Sequence, residues 1–136
     1  MGRSCHIIWY DEIDSTNSEA ARRLGELDNM SVIAARCQTA GRGKDNRKWL
    51  AAPGENMTFT IVQKYALPGD EMAFLFSEKP ENAPWPPFPA ACQMLISAAA
   101  AASVVRFLAE FGLSAWVKWP NDVYVDSRKI CGILIE

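Results

Sequence analysis

The stretch AWVKWPNDVYVDSRKICGILI, residues 115–135, decides the kind of fold that this chain adopts. β-Branched and aromatic residues dominate it, which favours strands over helices. It predicts a strand over 115–119, a break at the Pro-Asn-Asp turn of 120–122, and then a hairpin. The strands of the hairpin are 123–125 and 129–135, and the Asp-Ser-Arg segment between them forms its turn.

An apolar helix precedes this stretch, over residues 90–112. Apolar residues recur along it at helical spacing, at Met94, Ala98, Ala101, Val105 and Leu108. The alanine run predicts a buried core helix in close contact with a sheet, and Gly112 stands where a C-cap glycine belongs. Only residues 94–105 are both helix-like and apolar. That is shorter than the roughly 20 residues that a bilayer requires, so the segment is not predicted to span a membrane.

The N-terminal half carries strands, turns and one helix. Strands are predicted over 7–10, 31–37 and 56–64. The last of them alternates polar and apolar residues, which indicates a half-buried strand. A helix over 18–24 follows Asp-Ser-Thr-Asn, and Thr16 with Glu19 three residues later fits a capping box.

The element order β-α-β-β-α-β-β-β predicts an α/β (α+β) fold, in which helices pack on one or both faces of a mixed sheet. Residues 65–89 interrupt this order and hold six of the eight prolines. Their lack of periodicity predicts a long surface insertion. A PxxP-type partner motif is the functional alternative for the same residues.

Composition excludes several classes of protein. The chain has 136 residues, 49% of them hydrophobic and 22% charged, and a net charge of -2. This is an ordinary globular composition, too neutral for a histone-like binder or a disordered acidic tail. The N-terminus lacks the apolar core and cleavage site of a signal peptide.

Cysteine and histidine usage excludes further chemistries. The four cysteines, Cys5, Cys37, Cys92 and Cys131, are scattered without a CxxC pair, which predicts reduced thiols in a cytoplasmic protein. His6 is the single histidine, so neither a zinc site nor a Ser-His-Asp triad is expected.

The strongest local anomaly is QTAGRGKDNRKW, residues 38–49, where four basic residues lie within seven positions. Glycines let a backbone approach a ligand closely, and Arg and Lys neutralise phosphate oxygens. The spacing matches neither a Walker A loop nor a dinucleotide fingerprint. From the residues alone, an anion site and a solvated charged loop remain equally open.

Two further motifs lie in the C-terminal stretch. KWPND, residues 118–122, puts a lysine, a tryptophan and a rigid turn at a strand end, and Asp122 could bind Mg²⁺ through one carboxylate. Its alternative is a plain turn. RKICG, residues 128–132, brings a lysine into an apolar strand with a glycine three residues later, and its alternative is an exposed hairpin lysine beside a bulge.

Together, DSTN at 14–17, the loop at 38–49, and KWPND followed by RKICGILIE at 128–136 resemble the catalytic domain of biotin protein ligases. The resemblance implies a fold akin to class II aminoacyl-tRNA synthetases. It also implies a two-step acyl transfer that uses biotin, ATP and Mg²⁺. Biotinyl-5′-adenylate forms first, and the biotinyl group then passes to a lysine of the biotin carboxyl carrier protein of acetyl-CoA carboxylase or a related carboxylase.

The resemblance also implies roles for individual residues. The biotin-binding set would be Ser15, Thr16, Asn17, Gln38, Gly41, Arg42, Lys129 and Gly132. The ATP-binding set would be Arg42, Lys44, Arg47, Trp49, Lys118, Asn121 and Asp122, with Asp122 also binding the metal. The catalytic cations would be Arg42, Lys118 and Lys129, which stabilise charge where it develops.

The sequence departs from the family pattern in three ways. Lys44-Asp45-Asn46 replaces an arginine-arginine-glycine run, from which we expect slower loop closure. The insertion at 65–89 is longer than expected. Residues 1–6 leave no room for a winged-helix DNA-binding domain, so no DNA partner is expected, and no membrane partner either.

By the same resemblance, residues 1–136 are expected to form a partial catalytic domain without its C-terminal SH3-like barrel.

Two alternative functions remain. One is a lipoate or octanoate-protein ligase, and the other is an inactive fragment that only binds biotin or a nucleotide. A basic loop beside Trp49 also permits single-strand nucleic acid binding, although the near-neutral charge offers no wider basic surface.

Overall fold

The structure is a computed structural model that describes residues 6–44, 47–64 and 90–136. The chain divides into two compact units, Met1–Leu75 and Phe76–Glu136, called here the first unit and the second unit. The predicted order of elements is confirmed. The helices and strands are β1 Ile7–Ile13, α1 Thr16–Arg22, β2 Val32–Gln38, β3 Thr58–Ile61, α2 Ala90–Ala109, β4 Ala115–Lys118, β5 Asp122–Val125 and β6 Arg128–Gly132.

The first unit is built on a three-stranded mixed sheet of order β1-β2-β3. β1 pairs with β2 in parallel, and β3 pairs with β2 antiparallel. One face of the sheet packs against Ala20 and Leu27, with Ile33 at its centre. The other face carries Ile7, Trp9, Phe59 and Ile61, each about half exposed.

The alternation of β3 was predicted correctly, but its orientation is the reverse of the usual one. Thr58 and Thr60 lie opposite Ala35 and Ile33, on the face that packs against α1, whereas Phe59 lies on the exposed face. A one-residue step in a strand moves a side chain to the opposite face of its sheet. The threonine hydroxyls therefore lie on the covered face, where they find hydrogen-bond partners.

α1 begins one residue earlier than the predicted capping box requires. Ser15 is the N-cap, with extended backbone, and its hydroxyl accepts a hydrogen bond from the Ser18 amide at 3.4 Å. The prediction of Thr16 as the cap is therefore wrong. Thr16 is the first helical residue, and its hydroxyl binds Gln38 instead.

The second unit packs α2 against an antiparallel sheet of order β4-β5-β6. Ala101 and Val123 are fully buried in it, and Ser97 is nearly so. α2 ends at Ala109, before the predicted end at 112, and Gly112 is the predicted C-cap glycine, with a left-handed φ of 74°. Gly112 and Leu113 donate to the carbonyls of Ala109 and Leu108, the two hydrogen bonds of a Schellman motif.

The buried stripe predicted along α2 is wrong at its start. Ala101 is fully buried and Ala98, Val105 and Leu108 are half-buried, but Met94 is 47% exposed. Small residues let the helix approach the sheet closely, so burial is concentrated at Ser97 and Ala101 rather than along the whole length. Neither described helix is long and apolar enough to cross a membrane.

Two further predictions need correction. The strands form two three-stranded sheets, one in each unit, rather than a single mixed sheet. The last strand is Arg128–Gly132, whereas 129–135 was predicted; beyond it the Ile133 amide donates to the Asn121 carbonyl. The predicted surface insertion at 65–89 lies outside the described residues.

Candidate functional site

A neutral polar cluster lies in the first unit where β2 meets the start of α1. The Gln38 side-chain oxygen accepts from the Thr16 backbone amide at 2.8 Å and from the Thr16 hydroxyl at 3.1 Å. Thr16 is buried. These two residues are 22 positions apart in the sequence, and the structure brings them together through hydrogen bonds to each other.

Thr60 belongs to this cluster, although the sequence did not point to it. Its hydroxyl lies 2.9 Å from the Thr16 hydroxyl and makes a short hydrogen bond to the Asn17 side-chain oxygen. The alternation of residues 58–61 could have indicated it, because Thr58 and Thr60 share one face of β3 and a polar pair on one face suggests polar partners there. We call Thr16, Asn17, Gln38 and Thr60 the neutral cluster.

Ser15 and Asp14 lead into the neutral cluster. Ser15 is buried, and its hydroxyl oxygen is used as the helix cap, which leaves the hydroxyl proton available to a ligand. The Asp14 carboxylate accepts from the Ser15 amide at 2.8 Å and from both terminal nitrogens of Arg22. The Arg22 hydrogen bonds, followed by the one from Ser15, hold the pKa of Asp14 well below its ordinary value.

A second carboxylate supports the same turn. Glu19 accepts from the Tyr10 hydroxyl at 2.8 Å and from Arg22 at 2.9 Å. These two hydrogen bonds, that of Tyr10 first, lower the pKa of Glu19. Both carboxylates therefore remain ionised at neutral pH and fix the segment that carries Ser15.

Gly41 closes the neutral cluster on the side of the basic loop. It is buried, and a Cβ on it would lie 2.6 Å from the Trp49 carbonyl oxygen and 3.1 Å from the Gln38 amide nitrogen. The close approach at Gly41 is thus to the protein's own Trp49 and Gln38, whereas the predicted approach was to a ligand. The glycine lets the two sides of the loop meet beside Gln38.

The basic loop is a narrow hairpin. The Trp49 amide donates to the Gly41 carbonyl, and the Gly43 amide donates to the Arg47 carbonyl. The backbones of Arg42 and Lys48 form an isolated antiparallel β-bridge. All four basic side chains of the loop are exposed: Arg42, Lys44, Arg47 and Lys48. The loop thus presents its cations to solvent, while Asp45 and Asn46, on which the slower-closure prediction rests, lie outside the described residues.

A charged face lies on the second unit. β4 and β5 pair so that Trp116 opposes Tyr124 and Lys118 opposes Asp122, and Lys129 of β6 opposes Tyr124. These five residues share the face of the sheet opposite Val117 and Val123. We call Lys118, Asp122 and Lys129 the charged face. The Lys129 ammonium lies 2.6 Å from an Asp122 carboxylate oxygen.

A β-bulge puts Lys129 on this face. Val123 pairs with Cys131 and Tyr124 pairs with Lys129, so one step along β5 corresponds to two along β6. Ile130 is the extra residue. Without it, Lys129 would point to the side that packs against α2, where burial of an ammonium is costly. The sequence offered an exposed hairpin lysine beside a bulge as the alternative to a functional lysine, and the structure shows the bulge.

The remaining predicted residues of the second unit lie around the charged face. The Asn121 side-chain amide donates to the Ile133 carbonyl at 2.9 Å, which ties the end of β6 to the turn. Gly132 lies opposite Asp122. Burial raises the pKa of the Cys131 thiol on the α2 side, so it stays protonated at neutral pH.

The fit of a metal ion depends on the carboxylates. No group of three His, Cys, Asp or Glu side chains in the described ranges is arranged to hold one. Asp122 offers a single carboxylate, one oxygen of which binds Lys129. Mg²⁺ commonly binds one or two carboxylates together with substrate phosphates, so Asp122 fits a cation that arrives with ATP.

Comparison with known proteins matches this chain to the family described as Biotin/lipoate A/B protein ligase family, over residues 9–75 and 66–136. The chain belongs to this family. Both the neutral cluster and the charged face fall within the matched residues. The predicted family resemblance is confirmed.

Among relatives, the chain is 33% identical over 124 residues to the bifunctional ligase/repressor BirA of Escherichia coli, covering 91% of this chain and 32% of that protein. It is 32% identical to the biotin–[acetyl-CoA-carboxylase] ligase of Paracoccus denitrificans, covering 90% of this chain and 43% of that one. The chain therefore spans about a third to under a half of these two relatives.

Solved structures agree on the fold. The biotin protein ligase of Aquifex aeolicus, in complex with biotin and ATP, superimposes with a TM-score of 0.69 at 27% identity, over 96% of this chain and 46% of that one. The biotin acetyl coenzyme A carboxylase synthetase of Helicobacter pylori matches with a TM-score of 0.68 at 24% identity, over 98% of this chain and 55% of that one, which shows the fold alone.

Proposed function

We propose that this protein acts as an ATP-dependent biotin protein ligase. A carboxylate oxygen of biotin attacks the α-phosphorus of ATP, the bond to the bridging oxygen breaks, and pyrophosphate leaves with the electron pair. The lysine amine of an acceptor then attacks the acyl carbon, AMP leaves, and the amine loses a proton. No general base is required in the first step, because the attacking acid is already an anion.

The similarity to relatives that are named biotin ligases, along about nine tenths of the chain, carries the proposal. The chemistry of the neutral cluster favours biotin over lipoate. A ureido ring has two N–H donors and a carbonyl, which suit hydroxyl and amide side chains, whereas a dithiolane ring has neither. A site built from buried polar groups rejects a substrate that leaves them unpaired.

In the first unit, the neutral cluster with Ser15 and Gly41 binds the biotin ring. The cations Arg42, Lys44 and Arg47 of the basic loop neutralise the carboxylate and phosphates, and Trp49 packs by the adenine. A cationic loop that closes over the intermediate would also keep water from an acyl-adenylate.

In the second unit, Lys118 and Lys129 stabilise the charge that develops on the α-phosphoryl oxygens. Asn121 would bind the ATP phosphates, and Asp122 would hold, through its carboxylate, the Mg²⁺ that accompanies them. Mg²⁺ neutralises phosphate charge when it is bound. Gly132 completes the biotin-binding set with Lys129.

The proposal also covers the fold relationship, the acceptor protein and the cellular location. The fold is akin to class II aminoacyl-tRNA synthetases, which also activate a carboxylate as an adenylate. The acceptor is a lysine of a biotin carboxyl carrier protein of acetyl-CoA carboxylase or a related carboxylase. The protein works in the cytoplasm, where ATP is available.

The test is to incubate the purified chain with biotin and MgATP, without acceptor, and to measure biotinyl-adenylate by mass spectrometry. Parallel reactions contain lipoate or octanoate in place of biotin. Adenylate with biotin alone supports the proposal. Adenylate with lipoate or octanoate instead supports the alternative ligase. Biotin binding without adenylate supports a binding module, and neither binding nor adenylate overturns all three.

The site assignment has a separate test. Arg42→Ala, Lys118→Ala and Lys129→Ala should each abolish adenylate formation while circular dichroism remains unchanged. Arg36→Ala is the matched control, because Arg36 is an exposed arginine whose partner, Asp11, lies in solvent outside the proposed site. Full activity in all three alanine variants would show that the assignment is wrong.

A further inference from the structure

Two aromatic side chains lie beside Lys118 on the charged side of the second unit's sheet. The Lys118 ammonium lies over the Tyr124 ring, 5.7 Å from its centroid. The Tyr124 ring stacks on Trp116, with centroids 5.0 Å apart and an interplanar angle of 26°. Neither aromatic residue was predicted as part of a site.

The two lysines of the charged face are held in different ways. Lys129 is paired with the carboxylate of Asp122 at 2.6 Å. Lys118, by contrast, has no ion pair within the described parts of the chain, and its ammonium contacts an aromatic ring instead. A ring attracts a cation through its quadrupole and leaves the full positive charge in place.

The aromatic pair is itself fixed by the sheet. Trp116 and Tyr124 are directly opposed cross-strand partners on β4 and β5. The Trp116 indole nitrogen donates to the Asp126 carbonyl at 3.1 Å, at the hairpin turn. Trp116 therefore holds the Tyr124 ring in place, and the Lys118 ammonium lies over that ring.

We propose that Tyr124, supported by Trp116, is a positioning residue that holds the Lys118 ammonium ready to contact an anion. The inference rests on the proposed function, in which Lys118 stabilises charge at the α-phosphorus. A carboxylate partner would compete with the phosphate for the ammonium, whereas a ring limits the motion of the lysine without neutralising it. Preorganised charge of this kind accelerates a reaction more than the same charge on a mobile side chain.

The first arm of the test is structural and independent of activity. In ¹H–¹³C NMR spectra, the ε-methylene protons of Lys118 should show a ring-current shift that Tyr124→Phe retains and Tyr124→Leu abolishes. Random-coil values for these protons in the wild-type protein would overturn the proposal, because the ammonium would then not occupy one place.

The second arm is kinetic. Tyr124→Leu should lower the rate constant of adenylate formation about tenfold with little change in the KM for biotin, as expected for a lost cation–π contact. Tyr124→Phe should restore most of the rate. In a Lys118→Met background, Tyr124→Leu should cause no further loss, because the tyrosine acts through the lysine.

The outcomes separate the two proposals. An active wild-type protein whose Tyr124→Leu variant is equally fast overturns the positioning role alone. The same fractional loss with and without Lys118 also overturns it, since the effect would then be structural. A folded wild-type chain that forms no adenylate overturns the proposed function, and the positioning role in catalysis with it.

Discussion

The neutral cluster of the first unit and the charged face of the second differ in how their polar side chains are stabilised. The neutral cluster joins residues up to 44 positions apart through hydrogen bonds among neutral groups on the covered face of a sheet. The charged face arranges ions within a local antiparallel meander, on the face opposite α2. A defect in the neutral cluster should therefore reduce stability and ligand affinity together, whereas a defect in the charged face should reduce the rate with little loss of stability.

The largest effect is expected on the charged face. Lys129→Met keeps the length of the side chain but removes its charge, and we expect the rate of adenylate formation to fall about 10²–10³-fold. The free energy of unfolding should change by no more than about 1 kcal/mol, because the ion pair is partly solvated. Quenched-flow kinetics and urea unfolding measure the two quantities.

Arg128→Met is the matched control for Lys129→Met, because Arg128 is the adjacent exposed cation on β6 and lies opposite Val125. It should leave the rate unchanged. An equal loss of rate in both variants would mean that the total positive charge determines the rate, and that the position of the cation on the charged face does not.

The next effect is expected beside the neutral cluster. Gly41→Ala places a Cβ 2.6 Å from the Trp49 carbonyl oxygen, a backbone atom that cannot move aside easily. We expect the free energy of unfolding to fall by about 1–3 kcal/mol and biotin affinity to fall with it. Urea unfolding and isothermal titration calorimetry measure these changes.

Gly25→Ala provides the comparison for Gly41, since a Cβ on Gly25 would meet nothing within 4 Å. It should be neutral or stabilising, by no more than about 1 kcal/mol. If Gly41→Ala were equally harmless, the loop would not need the close approach seen beside Gln38.

A smaller effect is expected from Thr60→Val, which removes the hydroxyl that contacts Thr16 and Asn17. It should cost about 1 kcal/mol of stability and weaken biotin binding. Thr58 lies on the same strand as Thr60 and donates to the Ala35 carbonyl of β2, so Thr58→Val loses a hydrogen bond outside the neutral cluster. Thr58→Val should therefore cost similar stability and leave biotin affinity intact, and a loss of affinity in both variants would contradict the assignment of Thr60.

The smallest effect concerns acid stability. The pKa values of Asp14 and Glu19 lie below their ordinary values of 3.8 and 4.5, so the folded state binds fewer protons than the unfolded state in acid. The stability that they contribute is present above the ordinary values and is lost as pH falls through the lowered ones. Arg22→Gln should weaken this dependence without abolishing it, because Tyr10 and Ser15 still donate to the carboxylates.

Urea unfolding of the Arg22→Gln variant at about pH 7 and about pH 3 measures this difference. The variant should lose less stability than the wild-type protein between the two conditions. Arg36→Gln is the control, since its ion pair with Asp11 lies in solvent. An unchanged pH slope in Arg22→Gln would mean that Arg22 does not hold the carboxylates.

Local rules predicted much of this molecule from its sequence. Strand and helix order followed from residue type and periodicity, and Gly112 was identified as the C-cap glycine of α2 because only a left-handed residue fits there. The relation of Thr16 to Gln38 came from the family resemblance, since nothing local links residues 22 positions apart.

The rest depended on tertiary structure. Ser15 and Thr16 are both good caps, and the choice between them was made by Gln38, which binds Thr16. Thr60 reads as an ordinary strand residue until β3 is seen to turn its threonines toward α1. The stack of Trp116 on Tyr124 requires the register of β4 on β5, which the turn of 120–122 sets and single residues do not reveal.

The bulge at Ile130 also constrains how this hairpin can vary in length. Because side chains alternate between faces, deleting Ile130 while Cys131 and Gly132 keep their partners on β5 would move Lys129 to the α2 side. An insertion in the turn at 126–127 would leave the lysine in place, because a longer turn does not change the strand pairing. Functional relatives should therefore vary in length at the turn and not between Lys129 and Gly132.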